Sequence, residues 1–269
     1  MDNQPLVSCI ITTCNRGAIL NRAIDSVLNQ SYQNIECIVI DDSPNDESTS
    51  IMEDYIVENE NIVYLKNEKN LGPLGARNKA VANAKGEYIA FLDDDDYWHT
   101  TKITKQMKYA KEYSVVSCVP FICNGNKQVA QQPEFEGGSA VYNTIRLFET
   151  TRHIYPSGML MKKENFDKVG GFNIDFVEHD FFYKVSKEIG DMIVISDNLV
   201  YFDRSNDFDR VSGNDDAYRR LLMVYLKYQN EFPQEIFRKK MSLLYKKRAS
   251  LVKSNLMLKI AMTLMSRAI

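Results

Sequence analysis

The sequence predicts an α/β fold, a mostly parallel sheet flanked by helices. Short apolar runs rich in β-branched residues alternate with amphipathic helical segments along the first 113 residues. Strands joined through helices of that length pair in parallel, with both faces covered. Polar residues gather directly after three of the apolar runs, and in such sheets ligands bind outside the carboxyl ends of the strands.

The elements follow in order. Leu6–Thr13 reads as a buried strand, and Ile19, Ala23, Ile24, Val27 and Leu28 then share one helical face. Ile35–Asp41 is a second buried strand that ends in Asp41-Asp42-Ser43. A helix is expected around Thr49–Glu58 and a strand at Asn61–Leu65. The segment "NLGPLGARNKAVANAKG" predicts a Gly/Pro loop, a helix through about Ala84 and a glycine stop. "EYIAFL" is the next strand, and Thr100–Tyr113 the next helix. Beyond it "VVSCVPFIC" is a strand, "QVAQQPEFEGG" a loop, and "PSGMLMKKENFDKVGGF" a strand, helix and turn. "VEHDFFYKVSKEIG" is a helix ending at Gly190, "MIVISDNLVYFDR" is strand, and helix resumes after Gly213 with a break at Pro233.

Composition narrows the class. With 269 residues, 44% hydrophobic and 26% charged, the chain can pack a globular core. The net charge of −3 conceals an asymmetry, because residues 216–269 carry 12 Lys/Arg against 3 Asp/Glu. Five cysteines with no CxxC spacing point to a reducing compartment. The N-terminus "MDNQPLVSC" lacks a basic-then-apolar leader, so a cytoplasmic location is expected. No run of 18 uncharged apolar residues is present to span a bilayer.

The chemistry centres on "FLDDDDYW". Asp93, Asp94 and Asp95 at a strand end offer hard oxygen ligands suited to Mg²⁺ or Mn²⁺, which take one or two carboxylates and complete their shell with substrate phosphates. A solvated acidic turn would look similar. An EF-hand is poorly supported, because Trp98 sits at the loop-glycine position. Neither GxGxxG nor a P-loop is present, so a nucleotide's phosphates would fall to a metal ion and Arg77. Asp41 could accept a hydrogen bond from a base N–H or serve as a turn aspartate.

"VSCIITTCNR", "CIVIDDS", "NLGPLGARNKAVANAKGEYIAFLDDDDYW" and "GMLMKKENFDKVGGF", followed by an acidic helix, resemble the family 2 glycosyltransferases in order and spacing over about residues 5–213. The resemblance implies a GT-A fold with a Rossmann-like sheet, a nucleotide-sugar donor such as a UDP-sugar, a divalent metal (Mn²⁺ or Mg²⁺) and transfer of a hexosyl or N-acetylhexosaminyl group with inversion. It implies a nucleotide-binding half at about residues 1–98 and an acceptor-binding half at 99–215; the basic amphipathic helical extension at 216–269 is read from its own charge and spacing. Carried onto matching positions, Thr13 and Asp41 would contact the base, with Asn15 and Arg16 beside them and Arg77 near base or phosphate. Asp93 and Asp95 form the DxD motif, with Asp95 the direct metal ligand and Asp94 its variable middle. Asp96 would open the next turn or helix. The family's usual tyrosine after the first strand is Cys14 here.

Inversion needs a carboxylate to deprotonate the attacking hydroxyl. Aligning "FFYKV" on the family's aromatic helix puts Glu178 at the base position, with Asp180 the alternative. At about 100° per residue, Glu178 lies along the stripe of Phe182, Val185 and Ile189, whereas Asp180 lies beside Lys184 and Lys187. His179 reads as a solvated helix residue and Trp98 as core or cleft wall. Arg204 and Arg210 could reach a diphosphate. The basic extension could lie on an anionic membrane surface, in keeping with a glycan or lipid-linked oligosaccharide acceptor, or pack on the domain or another subunit. Nothing in it resembles a nucleic-acid motif. The rival readings are a sugar nucleotidyltransferase and a non-catalytic nucleotide-sugar-binding protein.

Overall fold

The computed structural model describes residues 4–45, 47–125, 127–150, 153–205 and 215–251. Its first half follows the predicted alternation: β1 (Val7–Thr13), α1 (Gly17–Leu28), β2 (Ile35–Asp41), α2 (Glu47–Glu58), β3 (Ile62–Lys66), α3 (Gly72–Asn83) and β4 (Tyr88–Asp93). These four strands lie in the parallel order β3-β2-β1-β4. β2 is buried along its whole length, as expected of a strand covered by helices on both faces.

The second half extends the same sheet with mixed pairing. It contains β5 (Asp96–Trp98), α4 (Lys102–Met107), β6 (Val116–Asn124), β7 (Lys127–Ala130), β8 (Ser139–Tyr142), α5 (Thr144–Glu149), β9 (Leu160–Lys162), α6 (Lys163–Lys168), α7 (Glu178–Glu188) and β10 (Met192–Asp203). β9 is antiparallel to both β4 and β6, so β4 and β6 run the same way and end at the same edge. β10 lies parallel to β6 and antiparallel to β5 and β8.

Three expectations are corrected. The helix expected over Thr100–Tyr113 is α4 alone, after which the chain continues in turns. The loop expected at "QVAQ" contains β7, and Asp96 starts a strand instead of a turn or helix.

Two apolar layers cover the sheet, one per face. α1 seals one with Leu20, Ala23, Ile24 and Val27. α3 and α7 seal the other, and α8 (Asp215–Lys227) and α9 (Gln234–Leu251) join it through Val224, Tyr225, Tyr228, Phe232, Met241 and Leu244. Phe148 of α5 and Phe232 stack at 3.8 Å between ring centroids. The described part of the extension is therefore packed on the domain, and "NLMLKIAMTLM" lies outside the described residues.

Candidate active site

The parallel register places Thr13 beside Asp41 and Thr12 beside Asp93, so the ends of β1, β2 and β4 meet at one edge. The chain leaves β1 through Asn15 at φ 56°, in the left-handed region that asparagine tolerates better than most residues. There the Asn15 N–H donates to Ser43 Oγ at 2.7 Å, folding the first loop over the end of β2. Asp41 is fully buried, and its carboxylate accepts from Tyr64 Oη (2.8 Å), Lys66 Nζ (2.9 Å) and the Ser43 N–H (2.9 Å). Asp42 accepts from the Leu71 N–H and Asn67 Nδ2, both at 2.8 Å, which pins the loop leading into α3.

The four aspartates occupy different environments. Asp94 turns inward, where it accepts from Thr13 Oγ1 at 2.8 Å and Arg16 Nη1 at 3.0 Å. Burial pushes its carboxyl up to about 6, against the opposing pull of Arg16 and Thr13. The middle of the motif is thus an anchor between the first and fourth strands. Asp93, Asp95 and Asp96 instead each present a carboxylate oxygen within 4.8 Å of the others, a set that could hold a metal ion. Carboxylate oxygens at that spacing suit a hard cation. Asp96 is thereby added to the ligand pair read from the sequence.

Arginines offset the repulsion among these groups. Arg16 bridges Asp94 and Asp95, the latter at 3.3 Å. Arg77 from α3, with 4% of its side chain exposed, meets Asp93 at 2.5 Å and Glu178 Oε1 at 3.6 Å. One guanidinium therefore joins the acidic loop to the first residue of α7. Arg22 from α1 donates to the Asp95 carbonyl at 3.1 Å and pairs with Asp203 at 2.5 Å. Below the loop, Ser157 Oγ accepts the Asp93 N–H at 3.2 Å while its carbonyl accepts Trp98 Nε1 at 2.9 Å. Trp98 is core, with 3% exposed.

The two carboxylates of α7 part company. Glu178 is one-third exposed and faces Arg77. Asp180 is sealed on the other side of the helix, where Lys227 Nζ (2.5 Å) and Tyr228 Oη (2.9 Å) donate to its Oδ1 and Lys184 lies 3.6 Å from Oδ2. The structure thus gives Asp180 to the extension and not to the edge where Asp93 and Arg77 lie. His179 is half-buried, its ring 6.5 Å from that of Tyr225. Arg204 is exposed, and Arg210 lies outside the described residues. Sequence reasoning missed Arg22, Asp96 and Ser157. Asp96 carried a signal in its adjacency to Asp95, whereas Arg22 and Ser157 reach the site only through tertiary contacts.

Residues 8–170 match the family model described as glycosyl transferase family 2. The chain belongs to this family. It is a glycosyltransferase enzyme, 30% identical over 234 residues to an uncharacterized glycosyltransferase of Haemophilus influenzae, a match covering 83% of this chain and 87% of that one. It is 43% identical over 110 residues to the Escherichia coli UDP-Glc:alpha-D-GlcNAc-diphosphoundecaprenol beta-1,3-glucosyltransferase WfaP, over 41% of this chain and 43% of the relative. The crystal structure of S. aureus TarS 1-349 in complex with UDP-GlcNAc superposes with a TM-score of 0.73 at 19% identity, covering 97% of this chain and 79% of that one. That likeness establishes the GT-A glycosyltransferase fold of the family 2 chain.

Proposed function

We propose that this glycosyltransferase is metal-dependent and inverting, and moves a sugar from a UDP-sugar to a hydroxyl of a lipid-linked glycan in bacterial surface polysaccharide synthesis. The observation that carries the reading is the meeting of Asp93, Asp95 and Asp96 with Arg77 and Glu178 at one sheet edge. WfaP, whose name records a UDP-glucose donor and a diphosphoundecaprenol-linked acceptor, supports the substrate classes.

In this reading residues 1–98 hold the nucleotide and 99–215 the acceptor. The Asp41 carboxylate is buried under Tyr64, Lys66 and Ser43, so in this reading a base N–H takes the place of one of those donors. Thr13 and Asn15 line the same end of the sheet. Asp93, Asp95 and Asp96 would hold Mn²⁺ or Mg²⁺, and Arg16 and Arg77 lie where the diphosphate arrives. When bound, the ion supplies neutralisation of the leaving diphosphate.

Glu178 takes the proton of the acceptor hydroxyl as that oxygen bonds to the anomeric carbon. The bond from that carbon to the diphosphate oxygen breaks, and its electron pair leaves with the diphosphate. Because Arg16 and Arg77 already pair with the acidic loop, metal alone binds weakly and metal with sugar nucleotide binds together.

The extension supports a peripheral membrane position. Among the described residues no helix is long and apolar enough to cross a bilayer. Met223, Leu226 and Leu243 are nevertheless 49%, 43% and 54% exposed on helices rich in Lys and Arg.

A thermal-shift screen of sugar nucleotides with and without Mn²⁺ tests the donor reading. One donor class is expected to raise the melting temperature only with metal present. No shift with any sugar nucleotide would overturn it.

A further inference from the structure

Three aromatic rings beside the site belong to neither apolar layer. Tyr97 of β5, Tyr201 of β10 and Phe121 of β6 are each half-buried and stack on one another. Tyr97 and Tyr201 lie 4.5 Å apart at 7°, and Phe121 and Tyr201 4.6 Å apart at 6°. The register explains the stack, because Tyr97, Tyr201 and Phe121 occupy one rung across three neighbouring strands. Tyr201 is the middle ring, so both of its faces are covered. The Arg22 guanidinium lies 4.5 Å over the Tyr97 ring and closes that end. At the other end the rung continues to Ala130 of β7, an exposed residue with a single methyl where the next ring would sit.

The stack adjoins the chemistry. Phe121 is two residues beyond Val119, which lies in the layer beneath α7, so strand alternation puts Phe121 on the sheet face of α7 and Arg77. Arg22 links the stack to the DxD loop through the Asp95 carbonyl. β6 runs the same way as β4, so Phe121, near its C-terminal end, lies toward the edge where β4 ends. At the Tyr97 end, exposed Gln128 donates to Tyr97 Oη at 3.1 Å, which holds that ring in the stack.

We infer that the outer face of Phe121, above Ala130, is an acceptor subsite that stacks one pyranose ring of the glycan, a residue or two back from the reacting hydroxyl. A pyranose offers what this surface lacks, a flat face of C–H groups that can lie against the open side of the Phe121 ring. The aromatic face attracts such C–H groups as it attracts other positive edges. Three mutually stacked rings hold the terminal one rigid, so little ordering is left for binding. The inference rests on the glycan-acceptor reading given above.

Two variants act on the platform in opposite ways. Phe121→Ala removes it, whereas Ala130→Trp completes the rung with the protein's own ring at an exposed position where an aromatic suits a strand. The measurement is saturation-transfer NMR with cellotriose, laminaritriose and N-acetylchitotriose, in the presence of UDP and Mn²⁺. The parent protein is expected to saturate the axial C–H protons of at least one triose, and both variants to weaken that binding about tenfold. The UDP-and-Mn²⁺ shift in melting temperature is expected to stay as in the parent for Ala130→Trp. No transfer to any triose from the parent, or equal transfer from the parent and Ala130→Trp, would overturn the subsite. If UDP with Mn²⁺ stabilises the protein while the trioses stay silent, the subsite alone is lost. If neither responds, the glycosyl-donor reading falls with it.

Discussion

The acidic loop at Asp93–Asp96 and the buried Asp180 both set carboxylates against cations, with opposite outcomes. At the loop Arg16 and Arg77 meet carboxylates that remain partly open to solvent, Asp95 at 16% and Asp93 at 37% side-chain exposure. At Asp180 two lysines and a tyrosine close around a carboxylate 1% exposed, and the cluster ties the extension to α7. Compensation that leaves carboxylates open to solvent marks the first region. Compensation that excludes solvent marks the second as structural.

The sharpest way to break the contrast is to remove one carboxylate from each. Asp95→Ala is expected to lower turnover about 10³-fold, roughly 4 kcal/mol of transition-state stabilisation, with the melting temperature unchanged or raised. A steady-state assay beside a thermal melt reads both. Unchanged turnover would remove Asp95 from the site. Asp180→Ala is expected to cost about 3 kcal/mol in urea unfolding, at the low end for a broken buried pair because Lys227 keeps 35% of its side chain in solvent. A loss below the effect of a surface mutation would end its assignment as an anchor.

Glu178→Gln tests the carboxylate of α7 that faces Arg77. About a 10²-fold fall in turnover is expected, with the metal-dependent donor shift retained. Full activity in this variant would move the base elsewhere.

The smallest effect comes from Lys102, which is fully buried with its ammonium 4.0 Å from the Trp98 ring and donating to Gln106 Oε1 at 2.8 Å. Burial lowers its ammonium to about 8 from an ordinary value of 10.5. Between those values the unfolded chain binds more protons than the folded one, so stability should rise with pH there, by at most about 1.4 kcal/mol per unit. Denaturation of the parent and of Lys102→Met between pH 8 and 10 measures it, with the variant lacking that component.

What the sequence made legible were features with local causes. Apolar runs that end abruptly at Asp41 and Asp93 located the parallel strands and their shared edge. Helical phase separated Glu178 from Asp180. β5, three residues long, could not be read, because it exists through its pairing with β10 about a hundred residues later. β7 is exposed at every residue and so shows no alternation of apolar and polar positions. α4 stops at Met107 although apolar residues continue to Tyr113, since turns carry that stretch instead. The arginines were visible as residues, but their pairing with Asp93–Asp95 joins segments that only the fold brings together.

β10 bears on how the chain becomes active. β1 to β4 pair with one another within the first 93 residues, so that half can form early during synthesis. β5, which immediately follows Asp95, pairs with β10 and cannot be fixed until residues 198–203 have emerged. The sheet is therefore completed by contacts of long sequence separation, the slow class in folding. A nascent chain could therefore hold Asp93 to Asp95 through Thr13, Arg16 and Arg77 while Asp96, the first residue of β5, still awaited its partner strand.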